Sequence, residues 1–165
     1  MSGILPLVGW GDACLIFGQC YTPGMLTQKA RYALHAMLFL AAREGSATVT
    51  EIAEGKTIPR KFLEQILSDL RIRGLVVGKR GPGGGYLLGR PADQISFAEI
   101  LRSIDGPLAL APCASQTAYR ACPDCVSIES CEIRPILMAV RDTTALLLEG
   151  MSLAEAAGAK KISFI

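Results

Sequence analysis

Apolar residues recur at helical spacing from Gln28 to Glu44: Ala30, Ala33, Leu34, Met37, Leu38 and Ala41 fall on one side of a 3.6-residue period. Thr27 is a suitable N-cap and Gly45 a suitable stop, so a first helix is expected over 28–44. A second, short helix starts near Val49, where Thr48 and Glu51 have capping-box spacing, and is expected to end at Gly55. A third opens at Pro59, a residue that suits the first helical position. Phe62, Leu63, Ile66, Leu67 and Leu70 form its expected buried stripe, and Gly74 closes it. The pattern then changes. Leu75-Val76-Val77 is β-prone, Gly81-Pro82-Gly83-Gly84-Gly85 is a turn, and Tyr86-Leu87-Leu88 completes a hairpin with a glycine-rich tip. Ser96 and Glu99 have the spacing of another capping box and open a helix to about Asp105, broken by Gly106 and Pro107. Little periodicity follows until about Glu132. Pro135 then begins a helix with Ile136, Val140, Leu147 and Leu148 on its apolar side, ending at Gly150, and Ser152 with Glu155 caps a last short turn. Residues 1–24 mix Gly, Pro and apolar residues without a sustained period, whereas Met25 reads as a natural beginning. That stretch is expected to be an N-terminal extension or a misassigned start.

With 165 residues, half of them hydrophobic, the chain can fill the core of one domain, or of one small domain plus an appendage. Its net charge of +2 is unevenly spread. From Met25 to Arg90 there are 11 Lys and Arg against 5 Asp and Glu; from Pro91 to Ile165 there are 6 against 9. A basic middle joined to a mildly acidic end suits a nucleic-acid module with a separate second function. No apolar run reaches the roughly 18 residues that cross a bilayer, and no Lys or Arg precedes Lys29, as a secretory signal requires. The expectation is a cytoplasmic protein with no membrane partner. Its thiols would be reduced there, so clustered cysteines point to metal or redox chemistry before disulfides.

The second and third helices, separated by Gly55-Lys56-Thr57-Ile58, have the layout of a helix-turn-helix. The leading end of the third helix must be polar, because it enters the major groove and meets base edges. Arg60, Lys61 and Gln65 suit that role, and Glu64 can accept from cytosine N4. Lys79 and Arg80 precede the glycine turn, where a bare backbone approaches phosphates or a narrow minor groove closely. The same glycines could cradle a nucleotide phosphate. That needs a following helix or a Gly-Lys-Ser/Thr, and here a β-prone segment follows.

The segments MLTQKARYALHAM, EIAEGKTIPRKFLEQILSDLRIRGLV and KRGPGGGYLLGRP resemble the Rrf-two family of bacterial transcription regulators (IscR- and NsrR-like), over about Met25 to Ala157. The most specific stretch is LEQ, LR four residues on, GLV, then RGPGGGYLL. The resemblance implies a dimeric winged-helix regulator with its recognition helix at Pro59–Arg71, base-reading positions at Arg60, Lys61, Glu64 and Gln65, and a wing arginine at Arg80. The expected DNA-binding set is Thr50, Arg60, Lys61, Glu64, Gln65, Lys79, Arg80, Gly83 and Tyr86.

Four of the six cysteines lie in the aperiodic segment, spaced C-x8-C-x2-C-x5-C at Cys113, Cys122, Cys125 and Cys131. Soft thiolates so spaced can hold an iron–sulfur cluster or zinc. Many members of the resembled family hold a cluster (2Fe-2S or 4Fe-4S) with three cysteines, the last two spaced C-x5-C. Cys125 and Cys131 reproduce that spacing, and Cys113 would be the first ligand. The gap from Cys113 to Cys125 is long, Cys122 is additional, and Arg134 stands where IscR-like members carry a histidine. Candidate fourth ligands are Cys122 and His35, the one histidine; in some relatives the partner chain's first helix completes the site. Cys14 and Cys20 receive no role.

The expected architecture is mainly α with a small β-hairpin wing: a winged helix-turn-helix plus a long C-terminal dimerisation helix. The expected division is a 1–24 extension, a 25–90 DNA-binding domain, a 91–131 linking helix and cysteine-rich sensor loop, and a 132–165 dimerisation helix and tail. The function implied is DNA-binding regulation of transcription that senses redox, iron or nitric oxide status through the cluster, with the homodimer on a roughly palindromic double-stranded operator. The alternatives are a cluster-free winged-helix regulator using a thiol switch, structural zinc or a partner protein, ranked cluster, thiol switch, zinc. A winged helix that binds protein would differ in lacking salt-dependent DNA affinity. An enzyme is not expected: one histidine, no nucleophile elbow and no acidic pair beside it offer nothing for acid–base chemistry.

Overall fold

The structure, a computed structural model, describes residues 26–81, 83–122, 125 and 127–158. The expected extension, with Cys14, Cys20 and Met25, lies outside the described residues. Among the described residues, six α-helices and one hairpin follow in order: α1 (Gln28–Ala41), α2 (Val49–Lys56), α3 (Arg60–Ile72), β1 (Val76–Lys79), β2 (Gly85–Leu88), α4 (Phe97–Ile104), α5 (Arg134–Glu149) and α6 (Leu153–Gly158). Two 3-10 turns, Ala92–Gln94 and Pro112–Ala114, lie between them. Thr27 caps α1 by accepting from Ala30 N (3.1 Å), and its own amide donates to Asp105 at the end of α4 (3.2 Å). The first capping box is complete: Glu51 N donates to Thr48 Oγ1 (3.2 Å) and Thr48 N donates to Glu51 Oε2 (2.7 Å). The last is complete as well, between Ser152 and Glu155.

α1, α2 and α3 bury a common core of Met37, Ile52, Leu63, Ile66, Leu67 and Leu70. The hairpin is antiparallel with Val76 opposite Leu88 and Lys79 opposite Gly85. A two-residue bridge ties it to the body: Ala47 N donates to Tyr86 O (2.9 Å) and Tyr86 N to Ala47 O (2.7 Å). The same core takes in Ile95, Ile100 and Leu153, so it draws on chain well beyond residue 90. α6 is held there by Leu153 N donating to Ile95 O (2.8 Å).

Four local expectations are corrected. Helix α1 stops at Ala41 rather than Glu44, where Ala42 N closes the last turn on Leu38 O. Helix α2 runs through Gly55 and ends at Lys56, because Thr57 supplies the left-handed cap (φ 53°). Gly55 serves packing instead: a Cβ there would sit 2.4 Å from the Phe39 ring. Phe62 is not in the buried stripe but 40% exposed, packed edge-on against Tyr32 at 5.8 Å. One residue of helical rotation, about 100°, separates it from fully buried Leu63. At α4 only half a capping box forms: Ser96 Oγ accepts from Glu99 N (3.2 Å), while the Glu99 carboxylate turns to Arg90 (2.5 Å).

Helix α5 differs from the others. Its single buried residue is Arg141. Ile136 (66% exposed), Val140 and Leu147 (65%) share an outward apolar face with Ile133, at alternating three- and four-residue steps over 133–140. Leu148, expected on that face, is half-buried and, together with Val140 at the edge of the face, lines a cavity of about 320 Å³ between α5, α4 and α1. Among the described residues no helix is long and apolar enough to cross a membrane.

Candidate nucleic-acid interface and cysteine recess

The turn into α3 is built by backbone. Thr57 takes the left-handed conformation, and buried Ile58 donates from its amide to Ala53 O (2.9 Å). Pro59, expected as the first residue of α3, is instead its N-cap with ψ 124° and no side-chain bond, and no acidic residue follows in the first turn. Phe62 N already donates to Pro59 O (3.1 Å), which leaves the Arg60 and Lys61 N–H groups of this turn for an external acceptor, and the helix dipole there favours an anion. Arg60, Lys61, Glu64 and Gln65 all project outward, opposite the buried Leu63, Ile66 and Leu67. Glu64 accepts from Arg60 Nε (3.2 Å) one turn away, so it orients the guanidinium besides offering an acceptor. Thr50, exposed on α2, borders the same shallow depression as Arg60.

The wing stands beside this surface. Lys79 and Arg80 are exposed at its tip. Gly83 has φ +72°, and its carbonyl accepts from Ser46 Oγ (2.7 Å), a tether spanning 37 residues that no sequence signal announces. Gly84 N closes the turn on Gly81 O (2.8 Å). Gly85 must be glycine: φ is +155°, and a Cβ would stand 2.4 Å from Ala47 O. Tyr86 is the wing root, half-buried against the core and bonded through both backbone groups to Ala47. Thus Thr50, Arg60, Lys61, Glu64, Gln65, Lys79 and Arg80 present polar groups to solvent, while Gly83 and Tyr86 shape and anchor the wing. Glu51, in the α2 capping box, is held below the usual carboxylate range chiefly by the Thr48 backbone N–H, then by the Thr48 hydroxyl.

The four cysteines gather although no periodicity predicts their placement. Cys113 is buried on the Pro112–Ala114 turn, Cys122 and Cys131 are half-buried, and Cys125 is exposed. All four line one recess of about 260 Å³, together with Tyr119 and Arg134. A hydrogen bond with Cys122 pushes the Cys113 thiol up, followed by lost hydration and the charges of Cys122 and Cys131. Cys125, exposed as a residue, has its thiol pushed up by lost hydration in the recess and then by Cys131. Among the described residues, no three His, Cys, Asp or Glu groups stand in a metal-ligating arrangement. In donor chemistry and in sharing one recess the residues fit a thiolate-held group, and closing on one would need the thiols to turn toward a common point. His35 is exposed on α1 and does not line the recess. Arg134, noted in the sequence only as the residue in place of a histidine, and Arg141, not noted at all, bind the cysteine turn: Arg134 Nε donates to Cys113 O (3.1 Å), and Arg141 donates to Ala114 O.

Comparison with known proteins places these features together. The profile of the Rrf2 family, described as an iron-dependent transcriptional regulator, matches residues 26–158. An rrf2-like HTH-type transcriptional regulator of Rhodobacter capsulatus is 42% identical over 134 residues, covering 78% of this chain and 89% of that protein. The HTH-type transcriptional regulator IscR of Xenorhabdus nematophila is 40% identical over 104 residues, 62% of this chain and 63% of its own length. The structure of CymR, the global cysteine regulator of B. subtilis, superposes with a TM-score of 0.65 at 30% identity, covering 80% of this chain and 95% of that one.

Proposed function

The chain belongs to the Rrf2 family of DNA-binding transcriptional regulators, not enzymes, and from that premise we propose that it senses redox, iron or nitric oxide status through an iron–sulfur cluster held by Cys113, Cys122, Cys125 and Cys131. The observation that carries this reading is the recess that brings all four thiols together beside Arg134. Cys122 is the fourth ligand, since it lines the recess with the other three, whereas His35 does not. A bound cluster would supply electron exchange and sensitivity to oxidants and nitric oxide. Arg60, Lys61, Glu64 and Gln65 read bases, Thr50, Lys79 and Arg80 hold phosphates, and Gly83 with Tyr86 sets the wing. The division of labour follows the chain: 25–90 recognises DNA, 91–131 senses, and 132–165 dimerises in the cytoplasm. The outward apolar face of α5 pairs with its twin, which sets two recognition helices about 34 Å apart on a palindromic operator.

The test is anaerobic purification with an absorption spectrum and iron, sulfide and zinc assays, followed by Cys-to-Ser changes at the four positions. Visible bands with matching iron and sulfide support the reading; a colourless protein containing zinc refutes it. Titration of loaded and metal-free protein on one operator then tests the switch, and equal affinities would sink it. The four neighbouring free thiols of the recess favour one second reading, a metal-free thiol switch. There each thiol pair would lose two electrons and two protons to a peroxide, forming a disulfide while the peroxide is reduced to water. A colourless, metal-free protein whose free-thiol count falls with peroxide would identify it.

A further inference from the structure

Helix α5 is attached to the body in an unusual way. It is 16 residues long, yet among its described residues none that is apolar is buried, and a cavity of about 320 Å³ separates its middle from α1 and α4. What is buried is Arg141, only 9% exposed. Taking a guanidinium out of water is costly unless its donors are used, and here they are: Ala114 O takes one, and Asp142 Oδ1 takes two at 2.8 and 2.6 Å. Arg134 lies two turns earlier on the same face. Its Nε donates to Cys113 O (3.1 Å), and its side chain lines the cysteine recess. Two arginines of one helix thus grip two consecutive carbonyls, and the first of those belongs to the buried cysteine. Beyond this grip, α5 is tied at its far end by the Arg102–Glu149 ion pair (2.5 Å). The helix also packs on α4, and its Leu137, Met138, Ala145 and Leu148 are half-buried, but its one buried side chain, Arg141, is committed to the Pro112–Ala114 turn.

We propose that Arg134 and Arg141 are positioning residues that key α5 to the Cys113 turn, so that a change of state at Cys113 is passed to α5. The inference rests on the reading of the cysteine recess as the sensor and adds its output path. When Cys113 is drawn toward a shared ligand point and its turn moves with it, the 113–114 and 114–115 peptides shift, and the two arginines hold one carbonyl of each. α5 must follow or lose those bonds. Because the outward face of α5 is apolar, its displacement would re-set whatever pairs with that face.

The experiment uses the full chain, loaded anaerobically with ferrous iron and sulfide or left metal-free, and follows amide hydrogen exchange over residues 134–149. Loading is expected to change exchange in α5 of the wild type by about fivefold or more, the lower end of ordinary allosteric coupling. Arg141 lies outside the recess, so R141K should keep the iron and the visible bands while its loaded and metal-free α5 exchange converge. If R141K does not fold, R134Q carries the test, and R134K, which keeps a charge and a donor, should restore the response. A loaded R141K or R134Q whose α5 responds as in the wild type overturns the inference. A loaded wild type with unchanged α5 overturns it too and leaves the cluster reading standing. A wild type that takes up no iron or sulfide overturns the cluster reading and this inference together.

Discussion

Replacing Gly85 by alanine tests how the wing is held. The added Cβ would stand 2.4 Å from Ala47 O, 2.5 Å from Ala47 C and 2.9 Å from Thr48 N, at φ +155°. All three neighbours are backbone, so no flexible side chain can give way. Ala47 is fully buried and bonded twice to Tyr86. Two responses are open to the chain. It can keep the bridge and carry backbone strain of about 1–3 kcal/mol on top of the contact. Or it can release the bridge, losing two hydrogen bonds worth about 1 kcal/mol each net, plus some packing of Tyr86. Either route gives a loss of about 2–4 kcal/mol. Gly83 is the control: φ is +72°, but nothing lies within 4 Å of its Cβ position. G83A therefore meets only the left-handed penalty of about 1–2 kcal/mol. Urea unfolding at constant m-value measures both, and fluorescence anisotropy with labelled duplex reports the wing through DNA affinity. G85A should be the more destabilising and should weaken DNA binding even where the chain remains folded. A G85A protein as stable as G83A, with wild-type DNA affinity, would refute the argument that this bridge seats the wing.

Three further outcomes follow from the geometry. T48A removes the cap of α2 and should destabilise the chain by about 1 kcal/mol in thermal or chemical unfolding. Because the folded state holds Glu51 below its ordinary range, its contribution is present above the usual carboxylate pKa and is lost as pH falls through the depressed value; the acid limb of the stability curve should be shallower in T48A. K79A and R80A should each weaken DNA binding across sequences and reduce the salt slope by about 0.9 if each contacts one phosphate, and an unchanged slope would remove the wing cations from the interface. L147E places a charge on the outward face of α5 and should convert dimer to monomer in sedimentation, with the fold retained; an unchanged mass would move dimerisation off that face.

Much of the helix-turn-helix was legible because its signals are local. Thr27 and the Thr48–Glu51 pair mark helix starts by hydrogen bonds spanning three residues. Leu63, Ile66, Leu67 and Leu70 declare a buried face by their spacing, and the Gly81–Gly85 turn declares the hairpin. Each depends on chain within a turn or two of itself, so spacing along the chain was enough to place these elements and to point to the family.

The remaining features arise from contacts between residues distant in the chain. Phe62 left the core because Tyr32 offered an edge outside it, and Glu99 left its capping box because Arg90 came within 2.5 Å. Cys113, Cys122, Cys125 and Cys131 share a recess only once α5 has folded back on the Pro112–Ala114 turn. Arg134 and Arg141 reach carbonyls 21 and 27 residues away, which no period along the chain encodes. Local spacing sets which face of a helix is apolar; what that face meets, and which buried polar group finds a partner, depends on the packing of the whole chain.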